Sequence, residues 1–596
     1  MGSEESGMRL NGSQILSRSL HEEGVEVIFG IPGGTIMPLY DELHKHPMRH
    51  LLVRHEQAAA HMADCYARVK RDVGVCMGTS GPGATNLVTG ILNAHMDSSP
   101  IVAITVNVPS TMIGTDGFQE ADISGITIPV TKQNYFVRNT RDLAKVVKDA
   151  FFIARSGRPG PVHIDIPKDV LLNEVEYHVP GPVDLPGFQP NYEGSMVQIR
   201  KAARLIEHAK RPVIIAGQGV LISQATEELI AFAEKTNIPV INTLLGLSSF
   251  PASHPLYNGW PGMHGYVHSS YSLDRSDLIV GIGNRFDDRF CGKFSAFAPK
   301  AKIVHIDIDP AEVGKNVRVD VPIVGDVKRV LTKLTPEIGE CESHDEWFAQ
   351  IAEWKREFPL KQYPDDTPDL YTPQIINALY KATNGEALIV ADVGQHQMFA
   401  AQYYRFDEPR MFQTSGGLGT MGYSLPGAIG AQCARPDKEV WAIAGDGCFQ
   451  MNLQELAVLT QERIPVKIAV VNNGYLGMVR QWQQLFWAGN YQHVDLSGTP
   501  DYVKLADAYG IPGWRVSAPG DVKAAIDAAR AHPGPALIEF RVFREENVFP
   551  MVPSGAALSE VIPDTPYVPA AVPTPVPVAA ASSAAPTPIT AQGGTR

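Results

Sequence analysis

The sequence predicts an α/β fold with three consecutive Rossmann-like domains, each built on a mainly parallel sheet. The chain has 596 residues, too many for one hydrophobic core, and domains of ~100–200 residues suggest three or four of them. Apolar runs of strand length alternate with helical patterns, which favours parallel sheets covered by helices. Two stretches rich in proline, 178–192 and 359–373, interrupt this alternation and indicate linkers.

The linkers divide the chain into three α/β blocks, which we predict as domains 8–175, 193–358 and 374–550. The first block carries candidate strands at 25–31, 50–55, 74–79, 101–106 and 161–166. The second carries candidates at 212–219, 238–243, 277–284 and 302–309, and the third at 387–394, 439–444 and 466–471. Residues 563–596 are rich in proline and alanine and poor in charge and large apolar side chains, so we expect a disordered tail.

Composition argues against several classes of protein. The net charge is −13 and no dense stripe of lysine and arginine appears, so nucleic acid is not an expected partner. The six cysteines are scattered without a CxxC pair, which favours a reducing compartment and argues against a zinc site. The sequence shows neither a signal-peptide pattern nor a run of 18 apolar residues. We therefore expect a cytoplasmic protein without a membrane span.

The segment 439–473 carries the strongest functional signal. Two apolar runs, EVWAIA and VKIAVV, lead into Asp446 and into the pair Asn472–Asn473, and the residues between them have helical spacing. A strand–helix–strand unit places Asp446 and Asn473 at the carboxyl edge of a sheet, where α/β folds bind ligands. Their oxygens, together with a diphosphate, suit Mg²⁺. The alternative is an ordinary βαβ unit whose glycines only form turns.

Glu56 is the candidate acid. It lies in the segment VRHEQAAAHMADCYARV, where a strand ends near Arg54–His55 and an amphipathic helix begins. That position is at the carboxyl edge of the first predicted sheet. An acid in the first turn of a helix is also common because the helix dipole favours it, so this segment alone leaves both interpretations open.

The spacing from Gly-Asp-Gly to Asn-Asn resembles the signature of thiamine diphosphate enzymes. Over about residues 8–562, the chain resembles the catalytic subunits of the acetohydroxyacid synthases, also called acetolactate synthases. The segments that carry this resemblance are GIPGG (30–34), RHEQAA (54–59), GTDGFQE (114–120), GMHG (262–265), GNRFDDR (283–289), GQHQM (394–398), TSGGLGTMGYSLPGAIGAQ (414–432) and GMVRQWQQLFW (477–487).

The resemblance implies thiamine diphosphate, Mg²⁺ and FAD as cofactors, with the flavin bound without net redox change. The three domains would bind the pyrimidine ring, FAD, and the diphosphate with Mg²⁺, and a lid segment would follow at 551–562. Glu56 matches the glutamate that activates the coenzyme. Asp446, Asn473 and the backbone carbonyl of Tyr475 match the magnesium ligands.

Further site residues follow from the matching motifs. Gly34 is expected beside the reacting carbonyl, Gln119 beside an intermediate, and Met421 under the bent coenzyme. The other residues expected to contact thiamine diphosphate are Pro32, Gly394, Gln395, His396, Gly419, Gly445, Gly447 and Met478. The residues expected to contact FAD are Arg158, Gly217, Gly219, Thr243, Leu244, Met263, His264, Gly283, Arg285, Asp287, Arg289, Asp307, Ile308, Asp326 and Val327.

Two side chains are implied to select the acceptor substrate. Trp482 would fit the ethyl group of 2-oxobutyrate against its ring, and Arg289 would grip the acceptor carboxylate. Phe118 and Met478 would complete the apolar wall. Taken singly, these side chains also fit ordinary structural roles: core packing for Met421, Met478 and Phe118, a solvated position for Gln119, and a salt bridge to Asp287 or Asp288 for Arg289.

The resemblance implies that the enzyme decarboxylates pyruvate and transfers the two-carbon unit to pyruvate or 2-oxobutyrate. The products would be 2-acetolactate or 2-aceto-2-hydroxybutyrate, in the synthesis of branched-chain amino acids. Active sites are expected between the chains of a homodimer or homotetramer, with a possible regulatory small subunit. The alternatives are glyoxylate carboligase, in which an apolar residue replaces the activating glutamate, pyruvate oxidase, the catabolic acetolactate synthase without FAD, and a non-catalytic nucleotide-binding relative.

Overall fold

A computed structural model describes residues 7–498 and 500–563 of the chain. The predicted disordered tail, from residue 564 onward, lies outside the described residues. Within the described part, every helix is too short or too polar to span a lipid bilayer.

The first domain contains a six-stranded parallel sheet with helices on its two faces. Its strands are Arg9–Asn11 (β1), Val27–Gly30 (β2), Arg49–Leu52 (β3), Gly74–Thr79 (β4), Ile101–Asn107 (β5), Gln133–Phe136 (β6), Val162–Pro167 (β7) and Glu174–Glu176 (β8). The sheet order is β3-β2-β4-β5-β7-β6, and β1 pairs separately with β8 in antiparallel fashion. The helices are Gly12–Glu22 (α1), Met37–Leu43 (α2), Glu56–Lys70 (α3), Pro82–Thr85 (α4), Val88–Met96 (α5), Ile123–Thr127 (α6), Leu143–Arg155 (α7) and Lys168–Leu172 (α8).

The second domain contains a five-stranded parallel sheet. Its strands are Pro212–Ala216 (β9), Val240–Asn242 (β10), Leu278–Ile282 (β11), Lys302–Asp307 (β12) and Val321–Val324 (β13), in the order β10-β9-β11-β12-β13. The helices are Met196–Glu207 (α9), Gln218–Ile222 (α10), Thr226–Thr236 (α11), Val267–Asp274 (α12), Asp288–Cys291 (α13), Val327–Glu337 (α14) and Asp345–Glu357 (α15).

The third domain contains a second six-stranded parallel sheet. Its strands are Leu388–Ala391 (β14), Phe412–Thr414 (β15), Val440–Gly445 (β16), Lys467–Asn472 (β17), Gly513–Val516 (β18) and Ala536–Arg541 (β19), in the order β15-β14-β16-β17-β19-β18. The helices are Thr372–Thr383 (α16), Gln395–Tyr403 (α17), Ser424–Ala434 (α18), Asp446–Phe449 (α19), Leu456–Glu462 (α20), Gly477–Phe486 (α21), Tyr502–Ala508 (α22) and Val522–Ala531 (α23).

The three parallel sheets confirm the predicted fold class. Each candidate strand of the sequence analysis overlaps an observed strand, and both predicted linkers are irregular except where α16 begins at Thr372. The numerical limits of the three domains and of the lid segment stay predictions.

The predicted single helix between β16 and β17 is wrong in one respect. The segment is divided into α19, a 3₁₀ turn at Leu453–Glu455, and α20. The side chain of Asn452 donates to the carbonyl of Gly422 at 2.8 Å, and Glu455 turns toward the first domain. These tertiary contacts outweigh the helical spacing of the segment.

The first and third domains pack closely through α3 and α18. A Cβ added at Gly430 would lie 2.1 Å from the carbonyl oxygen of Met62, so the two helix backbones are in contact. A buried polar network continues this interface, because Arg68 bonds Asp64 at 2.7 Å and Asp97 at 2.9 Å, and also donates to the Thr414 carbonyl at 2.8 Å. The site residues of the two domains are therefore held in a fixed relation within the chain.

Candidate functional site

Asp446 and Asn473, the predicted magnesium ligands, lie where β16 and β17 end side by side. These strands are parallel neighbours, with Gly445 paired to Val471. Asp446 follows β16 and is 2% exposed, and the Gly474 N–H beside it donates to Asn472 Oδ1 at 3.0 Å. Since Gly445 and Val471 are register partners, Asp446 and Asn473 both follow the carboxyl ends of adjacent strands, so the two predicted ligands lie at one sheet edge.

The surroundings of Asp446 suit a cation. Its Oδ2 is buried and has no hydrogen-bond partner within the described part of the chain. Burial raises the pKa of Asp446 to about 7, since an ionised carboxylate without a counter-charge is costly inside a protein. Asn473 supplies an amide oxygen, which also accepts the Tyr475 N–H at 2.9 Å. The oxygen donors fit Mg²⁺ with a phosphate ligand.

A concave backbone surface adjoins these ligands. Gly445 packs against the His396 ring, where an added Cβ would lie 2.8 Å from Cε1. Burial lowers the pKa of His396 to about 4, so the ring is neutral, and its Nε2 has no partner in the described structure. Gln395 is fixed by donating to Gln481 at 3.1 Å and to the Glu546 carbonyl at 2.7 Å. The arrangement leaves polar groups available for an anionic ligand such as a diphosphate.

A cavity of about 660 Å³ opens between the second and third domains and is closed on one side by Ser98 and Gly157–Pro159 of the first domain. It brings together most of the predicted FAD and coenzyme residues, which are Arg158, Gly219, Thr243, Leu244, Met263, His264, Gly283, Arg285, Asp287, Arg289, Asp307, Ile308, Asp326, Val327, Gly394, Gly419, Met421, Met478 and Trp482. Gly217 directly precedes the Gln218–Gly219 wall at the start of α10. Gly447 adjoins the Met421 side chain, because a Cβ added at Gly447 would lie 3.9 Å from Met421 Cε.

Several of these cavity residues also have structural partners. Asp326 caps α14 by accepting from the Arg329 N–H, and its other oxygen accepts from Ser223 at 2.7 Å. Arg158 bonds Glu312 at 2.7 Å. Burial raises the pKa of Asp307 to about 7. Their direct contact with FAD stays a prediction.

Arg289 and Trp482 meet at one end of the cavity. The guanidinium carbon of Arg289 lies 5.8 Å from the centre of the Trp482 ring, within the range of a cation–π contact. The predicted alternative for Arg289 is also present in weak form, since its Nη1 lies 3.8 Å from the Asp288 carboxylate and both side chains are largely exposed. The indole Nε1 of Trp482 is buried without a partner in the described residues.

The first-domain candidates form a second, separate group. Glu56 starts α3, is 8% exposed, and accepts a 2.9 Å hydrogen bond from Asn86. Pro32 and Gly34 are exposed in the loop after β2, and Phe118 is 85% exposed in the loop after β5. Gln119 is half-buried, with a left-handed backbone at φ +60°. None of the five lines the cavity between the second and third domains.

Two residues with hydrogen bonds at the candidate site, Asn86 and Asp392, are not predicted from the sequence. Asn86 lies in the glycine-rich turn GTSGPGATN after β4, and its side chain donates a hydrogen bond to the Glu56 carboxylate. Asp392 is buried after β14 and accepts from the N–H groups of Gly422 and Ser424, both at 2.8 Å, beside Met421. Asp392 directly follows an apolar strand, as Asp446 does, and this pattern is the sequence signal that could have identified it as a site residue.

Three models of one enzyme family match successive parts of the chain. The descriptions are thiamine pyrophosphate enzyme, N-terminal TPP binding domain, at residues 10–126, central domain at 199–334, and C-terminal TPP binding domain at 392–540. The chain belongs to the thiamine pyrophosphate enzymes. The cavity therefore lies between the central and C-terminal regions of such an enzyme, and Glu56 lies in its N-terminal TPP binding region.

Relatives of this thiamine pyrophosphate enzyme carry a more specific name. The acetolactate synthase of Mycobacterium bovis is 51% identical over 565 residues, covering 93% of this chain and 91% of the relative. The acetolactate synthase large subunit of Corynebacterium glutamicum is 50% identical, covering 93% and 90%. That of Cyanidium caldarium is 44% identical, covering 92% and 96%. The predicted membership in the acetolactate synthase group of this family is confirmed.

Proposed function

We propose that the chain is the catalytic subunit of an acetolactate synthase. It decarboxylates pyruvate and transfers the two-carbon unit to a second pyruvate or to 2-oxobutyrate. The observation that carries this proposal is the single cavity in which the coenzyme residue Met421 and the acceptor-side pair Arg289 and Trp482 are exposed together. The glutamate at position 56 argues against glyoxylate carboligase.

The chain's own residues supply binding, orientation and a proton route. Asp446, Asn473 and the Tyr475 carbonyl hold Mg²⁺, and the Gly394–His396 segment binds the diphosphate. Bound thiamine diphosphate supplies the electron sink for decarboxylation. Glu56 exchanges a proton with the aminopyrimidine ring, and the hydrogen bond from Asn86 fixes one of its carboxylate oxygens.

We place the complete active site between two copies of the chain. The first domain exposes the apolar side chains of Met37, Met112, Ile113 and Phe118, and we infer that they form one patch because they follow β2 and β5 at the same sheet edge as Glu56. An exposed cluster of this kind marks an interaction surface. The patch of one copy faces the cavity of the other in a homodimer, or in a homotetramer built from two such dimers. Since two relatives are named large subunits, we also propose that a smaller regulatory subunit binds.

The second domain provides the flavin site of this proposal. The segment Gly217–Gly219 follows β9 at the start of α10 and packs against Gly283, and the N–H groups of Gly217 and Gly219 donate to the carbonyls of Ile282 and Gly283 at 2.9 and 3.0 Å. Residues 283–289 and 307–308 line the same cavity. These residues would hold FAD, which would not be reduced in the reaction.

One assay separates the candidate activities. Purified enzyme is incubated with pyruvate, thiamine diphosphate, Mg²⁺ and FAD, and product, oxygen uptake and flavin absorbance are followed together. We expect 2-acetolactate without oxygen uptake or bleaching of the flavin. Acetyl phosphate or acetate with flavin reduction would instead identify an oxidase, and absence of turnover would identify a non-catalytic relative.

Trp482→Leu is expected to lower the preference for 2-oxobutyrate over pyruvate by roughly 10-fold, because one methylene in a hydrophobic pocket is worth ~1–3 kcal/mol. The ratio of 2-aceto-2-hydroxybutyrate to 2-acetolactate in a competition assay measures this preference. Trp487→Leu is the matched control, since Trp487 lies just after the same helix, is 57% exposed and does not line the cavity. An unchanged product ratio for Trp482→Leu rejects its role in selecting the acceptor.

A further inference from the structure

Glu455 of the third domain makes an unusual contact with the first domain. It is fully buried in the 3₁₀ turn between α19 and α20. Its Oε1 and Oε2 accept the backbone N–H of Arg54 at 3.0 and 3.2 Å. Arg54 and His55 join β3 to α3, directly before Glu56. A side chain from 401 positions away thus holds the backbone that leads into Glu56.

The charge on Glu455 has no local salt-bridge partner. Within the described residues, no lysine or arginine nitrogen forms an ion pair with it, and the Arg54 guanidinium points instead to the Leu52 carbonyl and to Gln461. Burial raises the pKa of Glu455 to about 7, against the opposing effect of the Arg54 N–H and charge, and the Glu56 carboxylate adds a smaller rise. Burying an unpaired carboxylate beside a second acid is costly.

The contact between Glu455 and the Arg54 backbone affects the orientation of Glu56. The Nδ1 atom of His55 caps α3 by accepting from the Gln57 N–H at 3.1 Å, so the Arg54–His55 backbone sets the first turn of the helix. The carboxylate of Glu56 is fixed separately by Asn86 at 2.9 Å. Glu455 therefore controls the backbone of Glu56, and Asn86 controls its side chain.

We propose that Glu455 is a positioning residue that orients Glu56 for proton exchange with the coenzyme. The inference rests on the proposed function, because it needs Glu56 as the activating acid. Glu455 itself touches neither substrate nor cofactor in this role. A displacement of about 1 Å in a catalytic group is enough to cost ~10²-fold in rate, so a contact to the backbone of Arg54 has a measurable effect.

The first experiment uses cofactor-free protein and does not depend on activity. Hydrogen–deuterium exchange is followed by mass spectrometry in the peptide containing residues 53–58. Glu455→Ala removes both acceptor oxygens from the Arg54 N–H, so we expect exchange of these amides to rise roughly 10-fold. Glu455→Asp keeps both acceptor oxygens and is expected to recover part of the protection. Unchanged exchange in Glu455→Ala overturns the inference.

The second experiment measures proton exchange at C2 of thiamine diphosphate on the holoenzyme, by acid quench and proton NMR. We expect Glu455→Gln to slow this exchange about 10-fold and Glu455→Ala about 10²-fold, with the KM for pyruvate unchanged. In the double variant Glu56→Gln/Glu455→Gln, the second substitution is expected to add nothing, because both act through one group. Full additivity of the two effects contradicts the positioning role.

Glu462→Gln is the matched control. Glu462 ends α20 at the same interface and bonds the Arg49 side chain at 3.0 Å, without contacting the backbone before Glu56. We expect both exchange rates to stay within about 2-fold of the parent. If Glu56→Gln leaves C2 exchange intact, the proposed function fails. If C2 exchange is slow in Glu56→Gln but not in Glu455→Gln, only the positioning role of Glu455 is overturned. Loss of the fold in all three Glu455 variants, judged by circular dichroism, assigns Glu455 a structural role and also overturns it.

Discussion

Glu56→Gln is expected to lower kcat by about 10²–10⁴, the usual effect of removing a general acid–base group. This corresponds to a barrier higher by about 3–5 kcal/mol. The glutamine amide has the shape of the carboxylate and its oxygen still accepts from Asn86, but it cannot exchange a proton with the coenzyme. Binding of pyruvate is expected to be unaffected, because the proposed role of Glu56 is proton exchange with the coenzyme and not contact with the substrate. Steady-state kinetics, with product measured by mass spectrometry, give kcat and KM separately.

Glu42→Gln provides the control for this prediction. Glu42 lies in α2 of the same domain, is also 8% exposed, and bonds only Lys45, at 2.7 Å. The same chemical change at equal burial is expected to alter kcat less than about 2-fold, as for other peripheral ion pairs. Near-normal turnover in Glu56→Gln, or an equal loss in both variants, rejects Glu56 as the activating acid.

The sequence predicts those elements best in which local pattern and burial agree. The continuous apolar runs of β16 and β17 are completely buried central strands, and both were found. The strands that escaped prediction are the short or polar ones. β6 (QNYF) is a half-exposed edge strand. β19 carries the buried Glu539, whose charge is compensated by Arg515 at 2.7 Å and by Arg541 at 3.2 Å. Such compensation between distant side chains leaves no local signal.

The same contrast holds for the candidate site. Asp446 and Asn473 are predictable because each follows a buried strand, and parallel strands bring their carboxyl ends to one edge. Glu455 and Asn86 act through contacts with Arg54 and Glu56 that depend on how the first and third domains are folded. Their positions in the sequence look like an ordinary helix turn and a loop. Tertiary structure is needed to identify them.

Asp446→Asn is expected to weaken Mg²⁺ binding by roughly 10²-fold or more, since loss of even an outer-shell partner costs 10–100-fold. The Asn side chain keeps the shape but removes the charge, and Oδ2 of Asp446 is the buried oxygen without a protein partner. Titration calorimetry with Mg²⁺ and thiamine diphosphate measures the loss. Asp437→Asn, at an exposed position before β16 where the residue pairs with Arg435, is the control and should bind normally.

The pH dependence gives this prediction a second readout. Mg²⁺ binds the ionised carboxylate, and burial raises the pKa of Asp446 to about 7. The parent enzyme should therefore bind Mg²⁺ about 10-fold more weakly at pH 6 than at pH 8, because the proton competes below the raised pKa. Asp446→Asn should lack this dependence. A parent affinity that does not change between these pH values contradicts the assignment of Asp446.

Mixing the two inactive variants tests whether one site uses two chains. In a heterodimer of Glu56→Gln and Asp446→Asn, the first chain contributes an intact metal site and the second an intact Glu56. One of the two symmetric sites is then complete, so random exchange of subunits should restore about a quarter of the parent activity. If each site were built within one chain, every site would retain a defect and mixing would restore nothing. The recovered fraction, measured after dissociation and reassembly, decides between the two arrangements.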